Sequence, residues 1–134
     1  MNEPTRCYIN IEEAIKMPFK IVSIGDFEAT YGMWKGCQKF LIEAKNGELL
    51  YYANAVTKDI YEHKDLARHF ELEKILGGGT VGRSREGIID LSQSSGTFGG
   101  VKKEILIPHL DTLLKAYQEV VPTCKEVSLE YLKR

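Results

Sequence analysis

Hydrophobic and polar residues alternate through Phe19-Lys20-Ile21-Val22-Ser23-Ile24, and the β-branched content of this stretch predicts a strand. Strict alternation places Phe19, Ile21 and Ser23 on one face and Lys20, Val22 and Ile24 on the other. Lys20 then shares a face with two apolar residues. That fits a strand-end stem covering the sheet with its amine in water, or a cation aimed across the sheet at a bound anion. Residues 26–36, with Gly25, Gly32 and Gly36, predict a loop in which Tyr31 and Trp34 pack. Lys39 to Ala44 and Glu48 to Val56 predict two strands, joined by the hairpin turn signal Asn46-Gly47. Tyr51 and Tyr52 read as cross-strand packing.

After Thr57 the period changes. Ile60, His63, Leu66, Ala67 and Phe70 fall near one helical face, so the pattern predicts a helix to about Phe70. Thr57 is its expected N-cap, and Asp59 suits the positive end of the helix dipole. Glu71 to Leu76 predicts a strand entering Gly77-Gly78-Gly79, and Thr80 to Ser84 with Gly87 to Leu91 predicts a hairpin. Val101 to Leu106 reads as strand or irregular chain. Pro108 then opens a helix whose apolar face carries Leu110, Leu113, Leu114 and Tyr117. Pro122 ends it, and Lys125 to Leu132 alternates as a last strand. These elements predict one α+β domain over residues 1–134, with a six-stranded, mostly antiparallel or mixed sheet packed with two helices.

Composition narrows the function. Apolar content of 43% and charged content of 28% describe a globular chain, and a net charge of −1 argues against nucleic acid and acidic membranes as partners. No run approaches the roughly 20 apolar residues of a membrane span. The acidic N-terminus does not read as a signal peptide, so a cytoplasmic monomer is expected. Cys7, Cys37 and Cys124 lack paired spacing and read as free thiols. His63 and His69 do not share a helix face well, His109 reads as a solvated first-turn residue, and no metal or organic cofactor is expected.

Two glycine-rich segments carry the candidate chemistry: Leu76-Gly77-Gly78-Gly79 and Ser94-Ser95-Gly96-Thr97-Phe98-Gly99-Gly100. Glycines beside hydroxyls let backbone N–H groups cradle an oxyanion such as phosphate; the same composition also makes plain turns. Neither segment is a P-loop, which needs a Gly-Lys-Ser/Thr ending, nor a Rossmann fingerprint, which needs a following helix. Ser95 is not in a nucleophile elbow, since Gln93 stands two residues before it.

Taken in order, Phe19-Lys20, Thr57-Lys58-Asp59-Ile60-Tyr61, Leu76-Gly77-Gly78-Gly79-Thr80 and Ser95-Gly96-Thr97-Phe98-Gly99 resemble the phosphohistidine phosphatase (Janus/Ocnus) family. Family members carry a Phe-Lys strand start, a His-Ala-Asp-Ile-Tyr segment, a Leu-Gly-Gly-Gly-Arg segment and a Ser-Met-Ala-Tyr-Gly loop. The resemblance covers residues 8 to about 130 and implies a small α+β domain with a phosphate site. In it Lys20 would pair with the phosphoryl group, and Ser95, Gly96 and Thr97 would cradle its oxygens. The catalytic histidine position is held by Thr57, and the arginine after the glycines is Thr80. Threonine cannot shuttle protons near neutral pH as imidazole does. The expected function is therefore binding of a phosphoryl or similar anionic group on a phosphorylated protein or small ligand. Two outcomes stay open beside it: hydrolysis of a phosphoramidate bond, and a non-catalytic binding module. A third reading is a protein-interaction domain whose glycines are only turns.

Overall fold

A computed structural model describes residues 3–27, 36–83, 86–92 and 96–129. Chain order gives β1 (Thr5–Arg6), α1 (Ile11–Ala14), β2 (Phe19–Ile24), β3 (Gln38–Lys45), β4 (Glu48–Ala55), α2 (His63–His69), β5 (Lys74–Arg83), β6 (Ile88–Ser92), α3 (Lys103–Leu106), a 3₁₀ turn (Ile107–His109), α4 (Leu110–Val120) and β7 (Glu126–Ser128). The fold is α+β, built on one mixed sheet of order β2-β4-β3-β5-β6-β7, with β1 added against β5. The β3–β4, β3–β5 and β5–β6 pairs are antiparallel, while β2–β4, β6–β7 and β1–β5 are parallel.

The β3–β4 hairpin follows from its turn: Asn46 (φ 52°) and Gly47 (φ 76°) both take the left-handed conformation that a two-residue type I′ loop requires. Helices cover both faces of the sheet. On one face α1, α3 and α4 bury Ala14, Leu106, Leu113 and Tyr117 against Phe40, Ile42 and Tyr51. The Tyr51 and Tyr117 hydroxyls lie 2.6 Å apart in that core, and Tyr117 also donates to Gln38 Oε1 at 3.5 Å. Gln38 passes its own amide to the carbonyls of Gly25 and Asp26. On the other face α2 packs Leu66 and Ala67 over Leu41, Tyr52 and Ile75.

Several sequence expectations change here. The triple glycine is not a turn: β5 runs straight through it, and Gly77, Gly78 and Gly79 are buried. A Cβ at Gly79 would overlap the Ser92 carbonyl and the Phe40 ring, and one at Gly78 would overlap the Phe40 carbonyl and Leu41. Glycine in a strand serves close backbone approach here, not a change of direction. Thr57 is not a helix cap either. Its hydroxyl accepts from Ile60 N–H at 2.9 Å and its N–H donates to Ile60 O at 3.0 Å, which closes a turn. The helix starts only at His63, where Asp65 accepts from the N–H groups of Glu62 (2.8 Å) and Tyr61 (3.3 Å). The alternation in β2 breaks at a bulge between Ile21 and Ser23, so Lys20 pairs with Leu50 and Ser23 with Tyr52. Lys20 therefore shares a face with Ser23, and Ile24 joins the opposite face. Residues 103–106 form α3, and β7 covers Glu126–Ser128 of the expected last strand, whose residues 130–132 lie outside the described residues. His109 is half-buried, stacked on Phe19 at 4.5 Å between ring centroids and 11° between planes. Tyr31 and Trp34 lie outside the described residues.

Gly79→Ala should lower unfolding stability by about 3 kcal/mol, because backbone and an inner ring on either side leave nowhere for the methyl to go. Gly82→Ala, in the same strand with nothing within 4 Å of the added Cβ, should change it by about 0.5 kcal/mol or less. Urea denaturation of both variants checks the contrast, and equal effects would contradict the placement of the glycines.

Candidate functional site

Register brings four polar side chains into one row across four adjacent strands. Asn54 on β4 faces Lys39 on β3, Lys39 faces Thr80 on β5, and Thr80 faces Ser92 on β6. The neighbouring row, Tyr52–Leu41–Gly78, is buried beneath α2. The polar row thus begins where the apolar cover of α2 stops, and all four of its members are half-buried. Lys39 lies there because alternation in β3 puts it on the face of Leu41, two residues before that buried leucine.

The opening of α2 borders the row. The Lys39 ammonium sits 5.9 Å from the Tyr61 ring centroid. Burial pushes the Lys39 pKa down, and the carboxylates of Glu62 and Asp65 push it back up. Those carboxylates favour the charged form of the amine and also temper its attraction for an anion. His63 is buried, and its Nε2 lies 2.8 Å from the Gly79 carbonyl. A carbonyl only accepts, so Nε2–H is the donor and the ring is the corresponding neutral tautomer. Burial lowers the His63 pKa to about 4; the Gly79 bond opposes the shift and the Lys39 charge adds to it.

The second glycine segment is anchored on the same side of the sheet. Ser92 ends β6 in the polar row, and Phe98 is buried in the α2-side core. Gly78 N–H donates to Gly99 O (3.1 Å) and Val101 N–H donates to Gly78 O (3.2 Å), which ties the segment to the middle glycine of the first one. Gly96 and Thr97 are exposed, and Ser95 lies outside the described residues.

The predicted site residues are therefore unevenly placed. Thr80 lies opposite Ser92 by register, while Gly96 and Thr97 are exposed and separated from Ser92 in the chain by residues 93–95, which lie outside the described residues. Thr57 follows β4 three residues after Asn54, with its hydroxyl committed to the Ile60 turn. Lys20 is exposed on edge strand β2, in the row of Leu50, Glu43 and Ile75. Three strand spacings, about 14 Å, separate β2 from β5. Lys39 and His63 were not singled out from the sequence as site residues. The available signal was a lysine at an inward position of a strand that the Asn46-Gly47 hairpin makes internal. Among the described residues no group of His, Cys, Asp and Glu is arranged to hold a metal ion, and no helix is long and apolar enough to cross a membrane. Comparison with protein-family models, with curated proteins and with solved structures gives no match.

The His63 shift sets a pH dependence. Its pKa falls from 6.5 to about 4 on folding, so the unfolded chain takes up a proton that the folded chain refuses. Stability is fully present above the unfolded value and is lost as pH falls through that window, by up to about 3 kcal/mol. Urea titrations between those limits should show the loss, and His63→Gln should flatten it; an unchanged slope in the variant would contradict the assignment.

Proposed function

We propose that this chain is an oxyanion-binding domain of the phosphohistidine phosphatase (Janus/Ocnus) type, which holds the phosphoryl group of a phosphorylated protein or small ligand without hydrolysing it. The observation that carries this reading is the pairing of Lys39 with Thr80. In the resemblance, Thr80 stands where an arginine follows the three glycines. Directly opposed residues on adjacent strands have Cβ atoms about 4.5–5.5 Å apart, so a cation on β3 reaches the space that an arginine on β5 would fill. Ser92 contributes a hydroxyl beside it, and the resemblance assigns backbone N–H groups to the exposed Gly96 and Thr97. A positioned cation with oriented N–H donors is the means by which a phosphoryl group is held and its charge balanced.

Binding without turnover is favoured by the two residues that would otherwise move protons. Thr57 occupies the place of the catalytic histidine, and its hydroxyl closes the turn to Ile60. His63, beside the row, spends its Nε2–H on Gly79 and is held neutral by burial. Loss of a positioned general acid–base removes about 10²–10⁴-fold in rate. Lys20 takes no part in this arrangement.

Isothermal titration with a phosphohistidine peptide, run beside a phosphate-release assay, tests the reading. Saturable binding is expected, with none for the unphosphorylated peptide. Lys39→Met should weaken it by about tenfold or more, the usual consequence of losing a charge-assisted hydrogen bond. Catalytic phosphate release by the wild type would replace the binding reading with a hydrolase, and binding unchanged in Lys39→Met would remove the site.

A further inference from the structure

The outer edge of β5 is tiled by separate pieces of chain. β1 pairs at Lys74 and Ile75, the Gly99–Val101 stretch bridges at Gly78, and β6 begins at Thr80. Between the first two pieces lies a cleft of about 120 Å³. Its lining includes the cations Arg6 and Lys102, with Cys7, Tyr8 and Gly100, and the apolar Leu76 and Ile105. Among the described residues no carboxylate lines it, in a chain whose net charge is −1.

Three features of the lining point the same way. The Arg6 guanidinium lies so close to Gly99 (φ +74°) that a Cβ there would overlap it. It also rests 4.7 Å from the ring centroid of Tyr8, and both of these side chains are exposed. Among the described residues no carboxylate is within ion-pair distance of Arg6 or Lys102. The Gly100 N–H is the third donor. Gly99 O and Val101 N–H both face Gly78, so alternation directs the Gly100 N–H away from β5, where it has no hydrogen-bond partner among the described residues.

We propose that this cleft is a second oxyanion site, separate from the Lys39 row, which takes the phosphoryl end of a small phosphate monoester. Arg6 supplies the fork of N–H donors that matches two phosphoryl oxygens, Lys102 supplies a point charge, and Gly100 supplies a backbone donor. A dianion satisfies two cations better than a carboxylate does. The cleft is well below the roughly 300–1,000 Å³ of sites that enclose a whole small molecule, so it receives the anionic end and leaves the rest of the ligand outside. Because its cations come from β1 and the start of α3, the site stands or falls independently of Lys39.

Titration of the full-length chain with inorganic phosphate, followed by backbone amide NMR, tests it. The expected result is saturable shifts at Gly99, Gly100 and Lys102, much smaller shifts with acetate at the same concentration, and a midpoint raised about tenfold in either Arg6→Gln or Lys102→Gln. Lys39→Met should leave these shifts in place. Arg6→Lys should recover only part of the affinity, since it keeps the charge and loses the fork. Lys102 is exposed and outside the sheet, so its variant keeps the test valid if Arg6→Gln loosens β1. Shifts insensitive to both glutamine variants, shifts spread over unrelated surface lysines, or equal responses to phosphate and acetate would each overturn the proposal. Loss of the shifts in Lys39→Met alone would overturn it while leaving the Lys39 row standing.

Discussion

The rest of the structure depends on three consecutive residues without side chains at the centre of the sheet. Gly78 and Gly79 let the Phe40 carbonyl and ring and the Ser92 carbonyl approach β5 more closely than a Cβ would allow, and Gly77 gives the Gly100 backbone a close fit. Those approaches fix three things at once. They seat α2, whose first residue His63 grips the Gly79 carbonyl. They set β6 against β5, so that Ser92 falls opposite Thr80. They dock the second glycine segment, through the paired bonds of Gly78 with Gly99 and Val101. Glycine carries an entropic cost in a strand, and here that cost is offset by packing that no other residue would permit.

The two glycine segments therefore divide the work. The first is structural, and its backbone groups are engaged with neighbouring chain. The second lies against it through Gly99 and Val101 with Gly96 and Thr97 exposed, and its Gly100 lines the cleft that also holds Arg6 and Lys102. The proposed cations come from β1, β3 and the start of α3, elements far apart in sequence that meet only because β5 lies between them. Burial of His63 supports the same arrangement: a neutral ring keeps its bond to Gly79 without placing a second buried charge beside Lys39.

Local chemistry made much of this fold legible in the sequence. Asn46-Gly47 specified its hairpin because both residues tolerate positive φ, and Leu113 and Tyr117 marked the inner face of α4 by their spacing. Errors arose where tertiary contacts override local preference. Three glycines read as a turn unless the chains that crowd them are known. Thr57 has the chemistry of an N-cap, but it closes a turn before the helix begins. The bulge in β2 moved Ser23 to the face of Lys20, a change that alternation cannot anticipate. The two-residue strand β1 carries too little pattern to be seen, so Arg6 was invisible as a site residue. Lys39 was read only as a strand residue, since its partnership with Thr80 exists only through register.

Amide hydrogen exchange with and without a phosphohistidine peptide tests the division of labour between the glycine segments most directly. The account predicts that Gly77, Gly78 and Gly79 are strongly protected in both conditions, while Gly96 and Thr97 exchange rapidly alone and gain protection with the peptide. Protection gained at Gly77–Gly79, or none gained at Gly96 and Thr97 when the peptide is bound, would contradict it.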